Sequence, residues 1–133
     1  AFARQSDGKI VIAGTFTEVS GQRRINVARI NPDGTVDPSF DPGQGPDGRV
    51  NAVAVQPDGK VLIGGVFRSV SGTPAIALAR LNGDGSLDSS FATTTITTGE
   101  VLSFAIQSTG KILVGGTYSR FGNITREFIT RFN

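Results

Sequence analysis

Apolar and polar positions in this chain fall into short alternating runs, broken at regular intervals by Gly, Asp, Asn and Pro. In the central stretch, residues 50–56 place Val50, Ala52 and Ala54 on one face and Val53 and Val55 on the other, which predicts a β-strand. Pro57-Asp58-Gly59 follows as a turn, with Pro presetting φ and Gly accepting a positive φ. Residues 60–67 form the return strand of that hairpin. A loop at 68–75 leads to a third strand at 76–82, and Gly83-Asp84-Gly85 turns the chain into a fourth at 86–91. No window carries the i, i+3, i+4 apolar spacing of an amphipathic helix. Gly64-Gly65 inside the second strand marks a bulge or a close backbone approach, with a ligand meeting the backbone as the alternative.

This unit returns every 51 residues: Gln5-Ser6-Asp7-Gly8-Lys9 matches Gln56-Pro57-Asp58-Gly59-Lys60 and Gln107-Ser108-Thr109-Gly110-Lys111. Ala28-Arg29-Ile30-Asn31 likewise matches Ala79-Arg80-Leu81-Asn82 and Thr130-Arg131-Phe132-Asn133. A repeat of about 40–50 residues made only of strands points to the four-stranded antiparallel blades of a β-propeller. The expected division is a first blade at 1–41, a second and complete one at 42–92, and a third at 93–133, about two and two-thirds blades. Rings close with about 4–8 blades, so the chain is expected to be a segment of a longer array. A chain that completes itself with further copies is the alternative, and an open array held by its neighbours a third. The unpaired strand edges at its ends are then templates for pairing.

The composite pattern is Gln-x-Asp-Gly-Lys, then Gly-x-Phe, then Ala-Arg-(Ile/Leu)-Asn-x-Asp-Gly-(Thr/Ser)-(Val/Leu)-Asp-x-Ser-Phe. It resembles the bacterial delta-sixty repeat, a β-propeller repeat, over the whole chain. The third copy departs from the pattern at Thr109, Tyr118 and Thr130. The resemblance implies a propeller fold and an extracellular or cell-surface setting in a large bacterial protein. It implies no catalytic residues.

Composition narrows the chemistry. Eighteen Gly and six Pro suit a turn-rich all-β protein, and the absence of Cys excludes disulfides, thiolate metal sites and a thiol nucleophile. A net charge of +2, with basic residues scattered singly apart from Arg23-Arg24, gives no footprint for nucleic acid. No apolar run is long enough to span a membrane, and no signal peptide is visible. Without His or Cys, triad, zinc-hydrolase and redox chemistries lack their residues. Of the carboxylates, only Glu18, Glu100 and Glu127 are free of obvious turn duties, so a two-carboxylate glycosidase is the sole catalytic alternative to a non-enzyme.

Candidate sites follow from the repeat. Asn82, Asp84, Ser86 and Asp88 place oxygens at alternate positions around a Gly turn, as do Asn31, Asp33, Thr35 and Asp37. The first reading is an Asx-assisted turn and the alternative a weak calcium site. The twelfth positions, Thr93 and Pro42, supply no bidentate carboxylate. Arg29, Arg80 and Arg131 sit between apolar neighbours, and Asp37 and Asp88 are the expected bidentate partners of the first two. A row of guanidinium groups facing a carboxylate or sulfated glycan is the alternative. Phe16, Phe67 and Tyr118, with Phe40 and Phe91, read as core between blades. The loops at 17–26, 68–75 and 119–126 vary most between copies, and Arg23, Arg24, Arg68, Arg120 and Arg126 there are candidates for binding anionic groups. The sequence therefore reads as a non-enzymatic propeller segment, a scaffold or binding module for a protein or glycan. An assembly subunit completed through open edges, and a multivalent lectin, are the competing readings. No cofactor is expected beyond the calcium alternative.

Overall fold

Each repeat opens with a hairpin, and in the first two its turn is locked by backbone and side chain together. Gln5 N–H donates to Lys9 O at 2.8 Å, Gly8 N–H donates to Gln5 O at 3.1 Å, and Gly8 takes φ of 87°. Asp7 Oδ1 accepts the Lys9 N–H at 3.0 Å, completing an Asx-type turn. The turn at Gln56 to Lys60 repeats these bonds, with Gly59 at φ 85°.

The structure, a computed structural model, describes residues 1–91, 96, 98–121, 124–125 and 129–132. In the first repeat, β1 (Phe2–Arg4), β2 (Ile10–Ala13) and β5 (Val27–Ile30) form one antiparallel sheet in the order β1-β2-β5. In the second, β6 (Arg49–Val55), β7 (Val61–Val66) and β10 (Leu78–Leu81) form the same arrangement, as do β11 (Val101–Ile106), β12 (Ile112–Gly116) and β15 (Ile129–Phe132) in the third. No helix occurs among the described residues, and so none is long and apolar enough to cross a membrane.

Two expectations are corrected. The fourth strand at 86–91 shrinks to a single bridge, Leu81 to Leu87, with Ile30 to Val36 in the first repeat. The cause is Asp88, whose Oδ1 accepts the Ser90 N–H at 3.0 Å and hydroxyl at 2.6 Å and so bends the chain out of the ladder. The stretch at 68–75, read as a loop, holds a small hairpin: β8 (Ser69–Val70) pairs with β9 (Thr73–Pro74), as β3 (Glu18–Val19) pairs with β4 (Gln22–Arg23). A third hairpin, β13 (Arg120–Phe121) with β14 (Ile124–Thr125), follows β12. In the first two the turn is Ser-Gly with both residues at positive φ, Ser20 at 49° and Gly21 at 77°, Ser71 at 48° and Gly72 at 80°. This is the geometry that two-residue hairpins favour.

The core lies between sheets. Val11, Val27, Phe40, Val50, Ile63 and Phe67 are buried in one cluster, and Leu62, Leu78, Val101, Val114 and Tyr118 in the other. Leu62 and Ile63 are adjacent on β7 and point to opposite faces, yet both are fully buried, so the second sheet is covered on both sides. The Tyr118 hydroxyl donates to Val114 O.

The glycine pair in β7 serves both roles expected of it. The pairing of β6 with β7 shifts between Val50, opposite Gly65, and Ala52, opposite Gly64, leaving Asn51 as a bulge. A Cβ on Gly64 would lie 2.3 Å from Val101 Cγ1 and 2.7 Å from Phe104 Cζ, so the third sheet packs directly on this backbone. Asn51 then reaches across, donating to Glu100 Oε2 at 2.7 Å and Val101 O at 3.0 Å.

Gly64→Ala is therefore expected to destabilise the fold by about 2 kcal/mol through overpacking. Gly83→Ala, where an added Cβ meets nothing within 4 Å, is expected to stay within about 0.5 kcal/mol of wild type. Urea unfolding of the two variants checks the contrast; equal effects would contradict the close approach.

Candidate binding surface and its supporting charge clamps

Two buried carboxylates organise the outer part of the first two repeats. Asp37 Oδ2 accepts from Arg29 Nε at 2.7 Å and Lys9 Nζ at 2.8 Å, while Oδ1 accepts the Ser39 N–H at 2.9 Å and hydroxyl at 2.7 Å. Asp88 repeats the set with Arg80 Nε at 2.8 Å, Lys60 Nζ at 2.7 Å and both donors of Ser90. The expected Arg–Asp pairs form, but the bidentate fork does not. One carboxylate oxygen is committed to the serine turn, so arginine and lysine share the other. The lysines were missed in the sequence, although Lys9, Lys60 and Lys111 recur at the repeat spacing. Arg131 is exposed on β15.

The arginines do more than pair. Arg29 Nη1 donates to Gly83 O in the next repeat at 2.9 Å, and Nη2 donates to Ser39 Oγ at 3.1 Å. Arg29 and Arg80 lie 4.9 and 4.6 Å from the ring centroids of Phe40 and Phe91, giving each charge an aromatic face. Burial alone would raise the Asp37 carboxyl, but Lys9, Ser39 and Arg29 outweigh it and hold it well below the usual carboxylate range. Asp88 is held equally low, first by Lys60 and Ser90, against a smaller effect of burial. Of the repeating aromatics, Phe67, Tyr118 and Phe40 are buried, whereas Phe16 and Phe91 are half-buried.

The residues considered for calcium separate into two environments. Asn82 Nδ2 donates to Ser86 Oγ at 3.0 Å, and Asp84 Oδ1 accepts the Ser86 N–H at 2.9 Å and hydroxyl at 2.6 Å. Asn31, Asp33 and Thr35 make the same turn. The Ser86 hydroxyl lowers the Asp84 carboxyl, as that of Thr35 lowers Asp33. Asp88 belongs instead to the clamp, with both oxygens engaged. Among the described residues no three acidic side chains gather as a metal cluster. Thr93 lies outside the described residues.

The four described loop arginines are spread over three hairpins, with only Arg23 and Arg24 side by side. Arg23 is exposed on β4 and Arg120 on β13, whereas Arg24 is buried. Arg68 is exposed just before β8, where Asp47 Oδ1 accepts its N–H at 2.8 Å and that of Ser69 at 3.1 Å. Arg126 and Glu127 lie outside the described residues. Arg23 and Arg24 share an open cavity of about 550 Å³ with Gln22, Asp41, Gly43 and Gln44. Glu100 accepts from Asn51 and from Arg49 Nη2 at 3.2 Å between the second and third sheets, while Glu18 sits on β3. A second cavity, about 780 Å³, lies where the turns of the three first hairpins meet and includes Gln5, Gln56 and Gln107 in its lining. Their recurrence was legible; their convergence needed the sheets to be stacked.

A family model described as "Domain of unknown function (DUF5122) beta-propeller" matches residues 5–40, 56–91 and 107–133, more than half of the chain. No curated protein matches it.

The clamps set an acid limit. Folded Asp37 and Asp88 ionise below the ordinary carboxyl value of 3.8, so the unfolded chain takes up protons first as pH falls. Their stabilisation is complete at neutral pH and is lost progressively from about pH 5 downward. Asp37→Asn and Asp88→Asn are each expected to lose about 3 kcal/mol at pH 7 and to flatten the fall in stability between about pH 5 and 2. Thermal unfolding across that range reads both effects, and an unchanged acid slope would contradict the clamp.

Proposed function

The chain belongs to the β-propeller family whose model it matches, and from that premise we propose that it is a non-enzymatic scaffold and binding module. One observation carries this reading. The first two repeats build the same hairpin beside the same clamp, yet its second strand and the residue after it read Gln22-Arg23-Arg24 in one and Thr73-Pro74-Ala75 in the other. Identical geometry with exchanged chemistry is what display of variable contacts on a rigid frame requires. In this reading the sheets are propeller blades recurring at 51 residues, and the delta-sixty resemblance adds an exported or surface-attached bacterial setting. The carboxylates have structural duties: Asp37 and Asp88 hold cations, Asp33 and Asp84 close turns, and Glu100 joins two sheets.

Grafting the second repeat's residues onto the first hairpin tests the division of labour. Gln22→Thr, Arg23→Pro and Arg24→Ala together are expected to leave unfolding within about 1 kcal/mol of wild type while changing what the protein retains on a glycan or protein array. Hydrolysis of a glycan panel that disappears in Glu100→Gln or Glu18→Gln would overturn the non-enzymatic reading.

A second reading, assembly, is favoured by apolar faces rather than by strand edges. Phe2 is 75% exposed and Ile129 65% exposed, although their counterparts Phe104 and Leu78 pack in the core between the second and third sheets. Light scattering is expected to show association that Phe2→Lys or Ile129→Lys abolishes. A wild-type chain that stays monomeric as concentration rises would rule it out.

A further inference from the structure

Arg24 is a charge without a counter-charge. Its residue is only 8% exposed, and among the described residues it forms no ion pair. Nη1 donates to Arg23 O at 2.8 Å, and Nε is buried with no acceptor. A buried guanidinium in this state is destabilising, since desolvation is not offset by a carboxylate or a full set of hydrogen bonds. Arg29 and Arg80, by contrast, are each clamped by an aspartate.

The fold itself does not call for arginine here. The same position of the second repeat is Ala75, 3% exposed and part of the core, on a hairpin of the same geometry. The charge at Arg24 is therefore an addition specific to the first hairpin, and the cavity that it lines supplies the reason. That cavity is open, about 550 Å³, and lined by polar and charged residues beside Gly43: Gln22 and Gln44 bring amides, Arg23 a second guanidinium, and Asp41 a carboxylate. Asp41 already accepts the Gly43 N–H at 2.9 Å through Oδ1.

We propose that this cavity binds a saccharide unit bearing a single carboxylate, a uronate, with Arg24 and Arg23 holding the carboxylate and Asp41, Gln22 and Gln44 meeting hydroxyl groups. Two guanidinium groups suit a carboxylate in paired, charge-assisted hydrogen bonds. Asp41 accepts from hydroxyls and repels a multiply charged anion such as a polysulfate. No aliphatic or aromatic residue lines the cavity to receive an apolar peptide side chain, and the volume suits one or two sugar rings. The inference rests on the binding-module reading and gives it one ligand class at one site.

The test is a titration of the intact chain with sodium glucuronate, glucose and a short poly-glutamate peptide. It is followed by the Nε–H resonance of Arg24, which is identified by its loss in Arg24→Ala. Glucuronate is expected to shift that resonance saturably, glucose is not, and Arg23→Gln should weaken binding about tenfold, the loss of one charge-assisted contact. In the absence of ligand, Arg24→Ala should unfold at the same temperature as wild type or higher, because it removes an unpaired charge where alanine already fits. A marked fall would mean that Arg24 is a packing residue and would overturn the site. So would an unmoved Arg24 resonance, or a stronger response to the peptide than to glucuronate. Binding followed by turnover of a glucuronide would keep the site and defeat the non-enzymatic reading. Silence at Arg24 would defeat the site alone.

Discussion

A carboxylate shared by an arginine from the third main strand and a lysine from the first hairpin turn reinforces the β2–β5 ladder and ties to it the segment that leaves the sheet. Asp37 reaches Arg29 on β5, Lys9 at the turn between β1 and β2, and Ser39 in the segment leaving the sheet. Through Arg29 the same network extends to Gly83 O of the following repeat. Removing the carboxylate would strand two cations, and removing the cations would strand a carboxylate that is 3% exposed. That interdependence is why the network recurs at Asp88 and why it ends the fourth strand early: the serine turn that completes it cannot also run along the ladder.

Stacking of the sheets follows from a second constraint, the missing side chain at Gly64. The bulge at Asn51 and the bare backbone opposite let Val101 and Phe104 seat against β7, and the freed Asn51 side chain bonds the neighbour's backbone. Asn26 does the corresponding work between the first two sheets, donating to Pro46 O at 3.1 Å and Gly48 O at 3.0 Å. With sheet faces consumed by stacking and the outer strands held by the clamps, the small hairpins are left outside as the parts whose composition can change. Arg24 and Ala75 show how far that freedom runs.

Much of this was legible in the residues. The turns at Gly8 and Gly59, the main strands and the Arg–Asp partners follow from turn chemistry, alternation and the cost of burying a charge. The hairpins at Ser20-Gly21 and Ser71-Gly72 were marked by a turn dipeptide, but strands two residues long carry no alternation to read. Lysine's share in the clamp was hidden because Lys60 and Asp88 meet only once the sheet is folded. The same holds for Ala77 at φ 61°, where only its register with Asn26, also at φ 61°, reveals a left-handed position. The isolation of Arg24 could not be read at all, since the lack of a partner is a property of the surroundings.

A double-mutant cycle on Arg29→Met and Asp37→Asn, read by urea unfolding, tests most directly whether the clamp is the element on which the frame depends. A coupling of about 1–3 kcal/mol is expected for groups in one buried network. Additive effects, with a coupling near zero, would mean that the two side chains are neighbours without being a clamp, and that the rigidity assigned to the frame has another source.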